Sequence, residues 1–336
     1  MRVMIVGSGL AATMHLAALD PAAAATVVGV VDLDPERART TAVRNGGLEW
    51  DTDLERAIRA WQIDAAIVCT PSDTHLQVGS ILAENGIHVL MEKPLAATSG
   101  EAEQLAGMFA SRDLVLSAAH VHRFGAYART IKQLLGPGTE VGPPRHLRVS
   151  ILNGWVWSDW RGWQLQRSRT GGHAVHNGVH VLDLATWWIG DQPTHVHASG
   201  RRQAAAELEI HDYFVITLAF GTGATAVCEF SRANQPRVSP HRDVVILGQH
   251  GLAHVPWDGE GLRLHREDRS GSGSVLPYEF RAQFDSWIGA ILGQSSATVS
   301  AREGVRAVRV AEAAETSMAT GAIVQLDPTM SQSSPR

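Results

Sequence analysis

The stretch GGHAVHNGVHVLDLATWW, residues 171–188, concentrates titratable groups on one side of a helix. Read as a helix from about Val175 on, it turns about 100° per residue, which brings His173, His176, His180 and Asp183 within an arc of roughly 80°. The other side chains are mostly Val, Leu, Ala and Trp. The four groups therefore read as a solvated stripe, or as the lining of a cavity in which protons or metal ions matter. His176 and His180 have the i,i+4 spacing that places two imidazoles on one helix face, as in zinc sites. His173, His120 or His122 would supply further ligands. No glutamate follows His176, so the zinc-protease pattern is absent. An imidazole, with an unperturbed pKa near about 6.5, is equally suited to moving a proton.

A second set of residues points to a dinucleotide. VGSGLAA supplies Gly7, Gly9 and Ala12 between an apolar run and a helical pattern that begins at about Gly9 and Leu10. Gly7 permits a tight turn, Gly9 close approach of the backbone to a pyrophosphate, and Ala12 close packing of helix on sheet. The helix start offers N–H groups to the phosphates, with Leu10 among the contact residues. Asp32 ends the next strand, where a carboxylate binds the adenosine ribose hydroxyls and repels a 2′-phosphate. NAD is therefore expected over NADP, although Arg37 and Arg39 lie close by in the chain.

The elements that must position these groups are legible as alternation. Apolar runs at 2–7, 26–32, 64–70, 87–92 and 114–122 alternate with helical patterns at 9–20, 34–45, 73–85 and 98–111. Continuous Val, Ile and Leu runs mark strands buried on both faces, hence a doubly wound parallel sheet. Past 123 a helix at 124–135 is followed by strand-like segments at 145–152, 194–202, 211–220, 224–232, 242–248, 261–267 and near 274–280. These predict a large open, mainly antiparallel sheet, with the 173–189 helix on one face and helices at 280–292 and 302–319 closing the chain. The fold class expected is α/β plus α+β: a Rossmann domain over 1–122 and a substrate-binding and oligomerisation domain over 123–336.

Bulk properties agree with a two-domain globular chain. A chain of 336 residues suits two domains. A formal net charge of −5 argues against nucleic-acid binding. No apolar run spans a bilayer. The two cysteines, Cys69 and Cys228, make no disulfide framework, so a cytoplasmic location is expected. The chain opens directly on a strand, with no signal peptide expected ahead of it.

CTPSDTHLQVGSILAENGIHVLMEKPLAAT, residues 69–98, resembles the Gfo/Idh/MocA family of NAD(P)-dependent sugar and inositol oxidoreductases. The T-P-x-x-x-H turn is Thr70-Pro71…His75 and the E-K-P turn is Glu92-Lys93-Pro94. The run HRF at 122–124 fits the family's link into its second domain, and GGHAVHNGVHVLD fits its G-G-G-x-x-x-D-x-G-x-H-x-x-D helix. The resemblance covers almost the whole chain. It implies that Thr70, Pro71, His75, Glu92 and Lys93 line the cofactor, and that Lys93 lies beside the reacting carbon, with a cis peptide often preceding its proline. It implies further that His180 is the acid/base and that the second domain's sheet forms a homodimer or homotetramer.

The departure from the family pattern is His176, which stands where a family aspartate is expected; Asn177 follows it, and His173 replaces the third glycine. Three readings stay open. His176 binds substrate or assists His180 in redox chemistry; or His176 and His180 hold a metal; or the protein binds a sugar without turning it over. The first leads to an oxidoreductase acting on a secondary hydroxyl of a sugar, cyclitol or glycoside. A variant of it cleaves glycosides through transient oxidation by NAD. Lys93, His120, His122, Trp155, Trp157, His176, Asn177 and His180 are the expected substrate contacts. Arg161, Arg167 and Arg169 are available for a substrate carboxylate or phosphate. Asp183 is expected to orient an imidazole or serve structure alone, Arg123 is expected to be structural, and His173 to be partly exposed.

Overall fold

The computed structural model describes residues 1–18, 24–154, 162–204, 206–234, 241–256, 262–265, 270–273 and 280–327. The chain divides into two compact units. The first holds Met1–His120 and Phe280–Arg306, the second Val121–Glu279 and Ala307–Ser333.

In the first unit β1 (Arg2–Val6), β2 (Thr26–Val31), β3 (Glu49–Asp51), β4 (Ala65–Val68), β5 (His88–Met91) and β6 (Leu116–Ala118) form one sheet. Their order is β3-β2-β1-β4-β5-β6, and every pairing is parallel. The connecting helices are α1 (Leu10–Ala18), α2 (Pro35–Arg44), α3 (Leu54–Trp61), α4 (His75–Glu84) and α5 (Ser99–Ala110). Chain order reverses between β1 and β4, and there the carboxyl ends of a doubly wound sheet open a ligand crevice.

Local chemistry sets these boundaries. Asp34 caps α2 by accepting from the Glu36 and Arg37 N–H groups, with Pro35 at the first position. Thr98 and Glu101 form a reciprocal capping box at α5. β3 and α3 were not among the expected elements, because Glu49-Trp50-Asp51 has no apolar run to announce a strand. Trp61 of α3 packs on β2 at Gly29, where a Cβ would fall 2.5 Å from the indole.

Helix α9 (Phe280–Ile291) belongs to this unit and not to the second, where 123–336 had been expected to stay together. Its Phe284, Trp287 and Ile288 join Val3, Ile5 and Ile67 in one buried core. Burial of such large aromatics outweighs proximity in the chain.

The second unit contains α6 (Ala126–Leu134), β7 (Pro144–Gly154), α7 (Arg167–Thr170), α8 (Val179–Ile189), β8 (Pro193–Arg201), β9 (Tyr213–Phe220), β10 (Thr225–Asn234), β11 (His241–Gly248), β12 (Leu252–Pro256), β13 (Leu262–His265), β14 (Ser270–Gly273) and β15 (Val324–Gln325). Most of α10 (Ala301–Thr320) lies here too. The nine strands run β14-β13-β12-β11-β7-β10-β9-β8-β15, antiparallel except for β7 beside β10. Helix α8 lies against β7 and β10. Alternation turns Leu147, Val149, Ala226, Cys228, Val244 and Ile246 towards the buried side. The hairpin between β9 and β10 closes at Gly223, with φ +84°. β12 was missed, and the segment expected at 274–280 lies almost entirely outside the described residues. Among the described residues no helix is long and apolar enough to cross a membrane.

Candidate active site

β1 ends in a turn at Gly7, whose φ of +91° is left-handed. A Cβ there would lie 2.8 Å from the Cys69 carbonyl and 2.9 Å from the Thr70 nitrogen, so glycine alone lets these strand ends meet. At Gly9 a Cβ would meet nothing within 4 Å. That open space, at the N-terminus of α1, fits a phosphate group. Ala12 is fully buried under the helix, whereas the Leu10 side chain is 79% exposed.

Asp32 is the best-defined polar group of this end. Its Oδ2 accepts from the Ser8 N–H at 2.8 Å and the Ser8 hydroxyl at 2.6 Å. Its Oδ1 accepts from the Asp34 N–H at 2.9 Å and the Arg37 guanidinium at 3.1 Å. Burial pushes the carboxyl up, but the Ser8 hydroxyl, the two N–H groups and Arg37 outweigh it and hold it below its usual 3.8. Arg37 is thus engaged by acidic partners, Asp32 and Asp34, and Arg39 pairs with Glu36. The glycine turn, the helix start and an ionised carboxylate at the end of β2 together fit the pyrophosphate and ribose of NAD.

The E-K-P turn after β5 is held from within the same unit. The Lys93–Pro94 peptide is cis. His75 is buried, with Nδ1 3.0 Å from the Pro94 carbonyl oxygen and Nε2 3.0 Å from that of Thr70. It ties the T-P-x-x-x-H turn to the E-K-P turn, with both ring nitrogens engaged by backbone carbonyls. Burial keeps its pKa below the usual histidine value, against the carbonyl contacts. The Thr74 hydroxyl donates to the Thr70 hydroxyl at 2.8 Å and to the Pro71 carbonyl at 2.7 Å, folding that turn.

Glu92 also turns inward. One oxygen meets His15 Nε2 at 2.8 Å, and the other accepts from the Lys93 N–H at 3.2 Å. Burial raises the carboxyl, but His15 and Lys93 bring it below 4.5. The Cys69 thiol, pushed up by burial and then by Glu92, stays protonated and is no nucleophile. Lys93 is half-buried, and its backbone is fixed by Glu92.

In the second unit the expected α-helix begins as a π-helical turn, Ala174–Gly178, and becomes α-helical at Val179. The regular 100° spacing therefore fails where it was counted, and the four groups do not form one stripe. π-turns of this kind commonly sit at functional sites. His173, expected to be partly exposed, is fully buried: Nδ1 lies 2.7 Å from the His211 carbonyl, and the ring meets Phe214 and Phe230 edge-on at 5.5 and 5.3 Å. It is a core residue, because those aromatic rings enclose it. Asp183 accepts both guanidinium donors of Arg123, at 2.6 and 2.8 Å, in a buried pair that ties α8 to the segment at 121–124.

His176, Asn177 and His180 remain as chemistry. His176 packs edge-on to Trp163 at 5.1 Å, and His180 edge-on to His122 at 4.7 Å. The Tyr127 hydroxyl lies 3.4 Å from His122 Nδ1. His120 is buried and belongs to the first unit, His122 to the second. Among the described residues no three His, Cys, Asp or Glu side chains are arranged to hold a metal ion. Trp155, Trp157, Trp160 and Arg161 lie outside the described residues.

Sequence reasoning missed what supports this helix. Glu315 of α10 accepts from the Ala174 N–H at 2.8 Å. A Cβ on Gly172 would lie 2.3 Å from the Glu315 carboxyl carbon, which accounts for the glycine ahead of the π-turn. Burial raises the pKa of Glu315, against the Ala174 N–H and Arg167. Neither Glu315 nor His15 carries a motif of its own.

Two family models match this chain: an oxidoreductase family with an NAD-binding Rossmann fold over residues 1–120, and a Gfo/Idh/MocA C-terminal domain over 128–254. The chain belongs to the Gfo/Idh/MocA family. Inositol 2-dehydrogenase 4 of Saccharopolyspora erythraea is 28% identical, covering 96% of this chain and 94% of its own. The 2,7-anhydro-N-acetylneuraminate hydratase of Mediterraneibacter gnavus is 28% identical over 67% of this chain and 60% of its own. The structure of GenD2 from gentamicin A biosynthesis in complex with NAD superposes with a TM-score of 0.84 at 26% identity, covering 97% of this chain and 96% of that one. This Gfo/Idh/MocA member is an NAD-dependent oxidoreductase with a Rossmann domain and a C-terminal mixed sheet.

Proposed function

We propose that this protein oxidises a secondary hydroxyl of a sugar, cyclitol or glycoside, or reduces the matching ketone. The observation that carries the reading is the Gly7–Asp32 arrangement, which fits an NAD ribose and pyrophosphate. The identity to a named inositol dehydrogenase adds the substrate class. When bound, NAD supplies the hydride acceptor at nicotinamide C4.

The chain's own residues do the rest. Backbone N–H groups at Gly9 and Leu10 hold the pyrophosphate, and Asp32 holds the ribose hydroxyls. The Lys93 ammonium polarises the reacting oxygen, on a backbone kept in place by Glu92 and His75. The His180 imidazole takes the hydroxyl proton as the hydride leaves the same carbon. His176 and Asn177 bind neighbouring hydroxyls, with His120 and His122 as further contacts. The open face of the second unit's sheet serves as a homo-oligomer interface.

The test is NADH formation, followed at 1:1 stoichiometry with product, across a panel of sugars and cyclitols. NADH formed by the wild type and abolished in Lys93→Ala supports the assignment; NADH formed at the wild-type rate by that variant refutes it. A second reading is favoured by the likeness to a named hydratase: glycoside cleavage through transient oxidation, which acidifies a neighbouring C–H and permits elimination. It predicts product formation with NAD needed only in catalytic amount.

A further inference from the structure

One end of the second unit's sheet carries two arginines on its buried face. β7 lies between β10 and β11 there, and Ile151 is paired with Phe230 on one side and Arg242 on the other. Residues directly opposite share a face. Arg242 therefore stands on the same face as Ile151 and Phe230, the face that α8 covers. Arg232 follows on that face, with its guanidinium carbon 5.3 Å from the centre of the Phe230 ring. Phe230 in turn meets His173, just ahead of His176 and Asn177. Asn153, buried on β7, leaves its Oδ1 without a hydrogen-bond partner.

A buried guanidinium is ordinarily matched by a carboxylate. Arg123, fully buried, has Asp183. Among the described residues Arg232 has no such partner: its Nε is buried and unpaired. Its backbone N–H donates to the Asp212 carbonyl at 2.8 Å. Burial, and then the neighbouring Arg242 charge, brings its pKa down to about 10, so it remains a cation at neutral pH. A guanidinium without a carboxylate, in a poorly hydrated place, calls for an anion.

We propose that Arg232, with Arg242 and the Asn153 amide, forms a subsite for an oxyanion carried by the sugar substrate, a carboxylate or a phosphate. The proposal rests on the sugar-oxidoreductase reading and narrows it to acidic sugars. A planar guanidinium presents two parallel donors to either group. Nearby, His176 and Asn177 take the hydroxyls of the ring.

The NAD-loaded protein is tested with D-glucose and myo-inositol as neutral probes, D-glucuronate as carboxylate and D-glucose 6-phosphate as phosphate. Calorimetry reads binding, and NADH formation reads turnover. At least one acidic probe should bind about tenfold or more tightly than D-glucose, and which one it is names the group. That advantage should collapse in Arg232→Gln and survive in part in Arg232→Lys. Neutral probes bound as tightly as both acidic ones, no binding of either acidic probe, or an advantage intact in Arg232→Gln would each overturn the subsite. The wild-type comparison decides the matter even if a variant does not fold. Arg232-dependent binding without NADH from any probe upholds the subsite and counts against oxidation of these sugars; NADH from neutral sugars, with no acidic probe bound more tightly, does the reverse.

Discussion

Replacing Asp32 by asparagine should invert the order of cofactor affinities, and the size of the effect follows from the contacts around it. The carboxylate is fixed by Ser8 on Oδ2 and by Asp34 and Arg37 on Oδ1. Asparagine keeps one oxygen for the Ser8 turn but loses the charge. A charge-assisted hydrogen bond to a ribose hydroxyl contributes about 1.5–3 kcal/mol, so NADH affinity should fall roughly tenfold to hundredfold. NADPH gains from the same change. The carboxylate that opposed its 2′-phosphate is gone, and the Arg37 guanidinium, 62% exposed, is released from its Asp32 partner. Unit charges 4 Å apart interact by about 4 kcal/mol at an effective dielectric near 20; exposure and salt reduce that to about 1–2 kcal/mol here. The ratio of the two dissociation constants should therefore move by about two orders of magnitude or more.

Fluorescence titration with NADH and NADPH measures both constants without a substrate. Arg37→Ala completes a double-mutant cycle: it should weaken NADPH about tenfold in the Asp32→Asn background and change NADH little in the wild type. A ratio within about threefold of the wild type would refute the ribose contact. So would an Arg37 effect that is the same in both backgrounds.

Other outcomes follow from the rest of the site. Lys93→Ala should abolish turnover while NAD affinity stays within about threefold, because the pyrophosphate and ribose contacts are untouched; a proportional loss of both would make Lys93 a binding residue. His176→Asp restores the family's carboxylate and should raise dehydrogenase activity towards neutral sugars, as a rate comparison at saturating NAD would record. Glu315 has a folded pKa above 4.5, so the folded state binds more protons and stability falls as pH rises from about 4.5 through the raised value. Glu315→Gln removes that slope while keeping an acceptor for Ala174, so urea unfolding from pH 5 to 8 should show the variant gaining on the wild type as pH rises.

Much of the first unit was legible because its signals are local. Gly7 and Gly9 sit between a buried strand and a helix, Asp32 ends the next strand, and Glu92-Lys93-Pro94 follows another. Each is readable within a few residues, since strand and helix periodicities are properties of adjacent positions. The second unit was less transparent. The histidine helix was found, but its π-turn was not, since no local pattern separates five residues of π-helix from an α-helical start.

What the sequence by itself determined is the doubly wound sheet, the dinucleotide turn and the family, all written in short-range pattern. Tertiary structure alone decided what each histidine faces. His173 is enclosed by Phe214 and Phe230, His15 is matched to Glu92 across 77 positions, and Ala174 to Glu315 across 141. Helix α9 likewise belongs to the first unit only because Phe284 and Trp287 fill a core begun by Val3 and Ile5. Contacts between such distant segments leave no period in the chain. They arise when buried polar groups must find partners and apolar faces must be covered, and those demands are met only once the whole unit has folded.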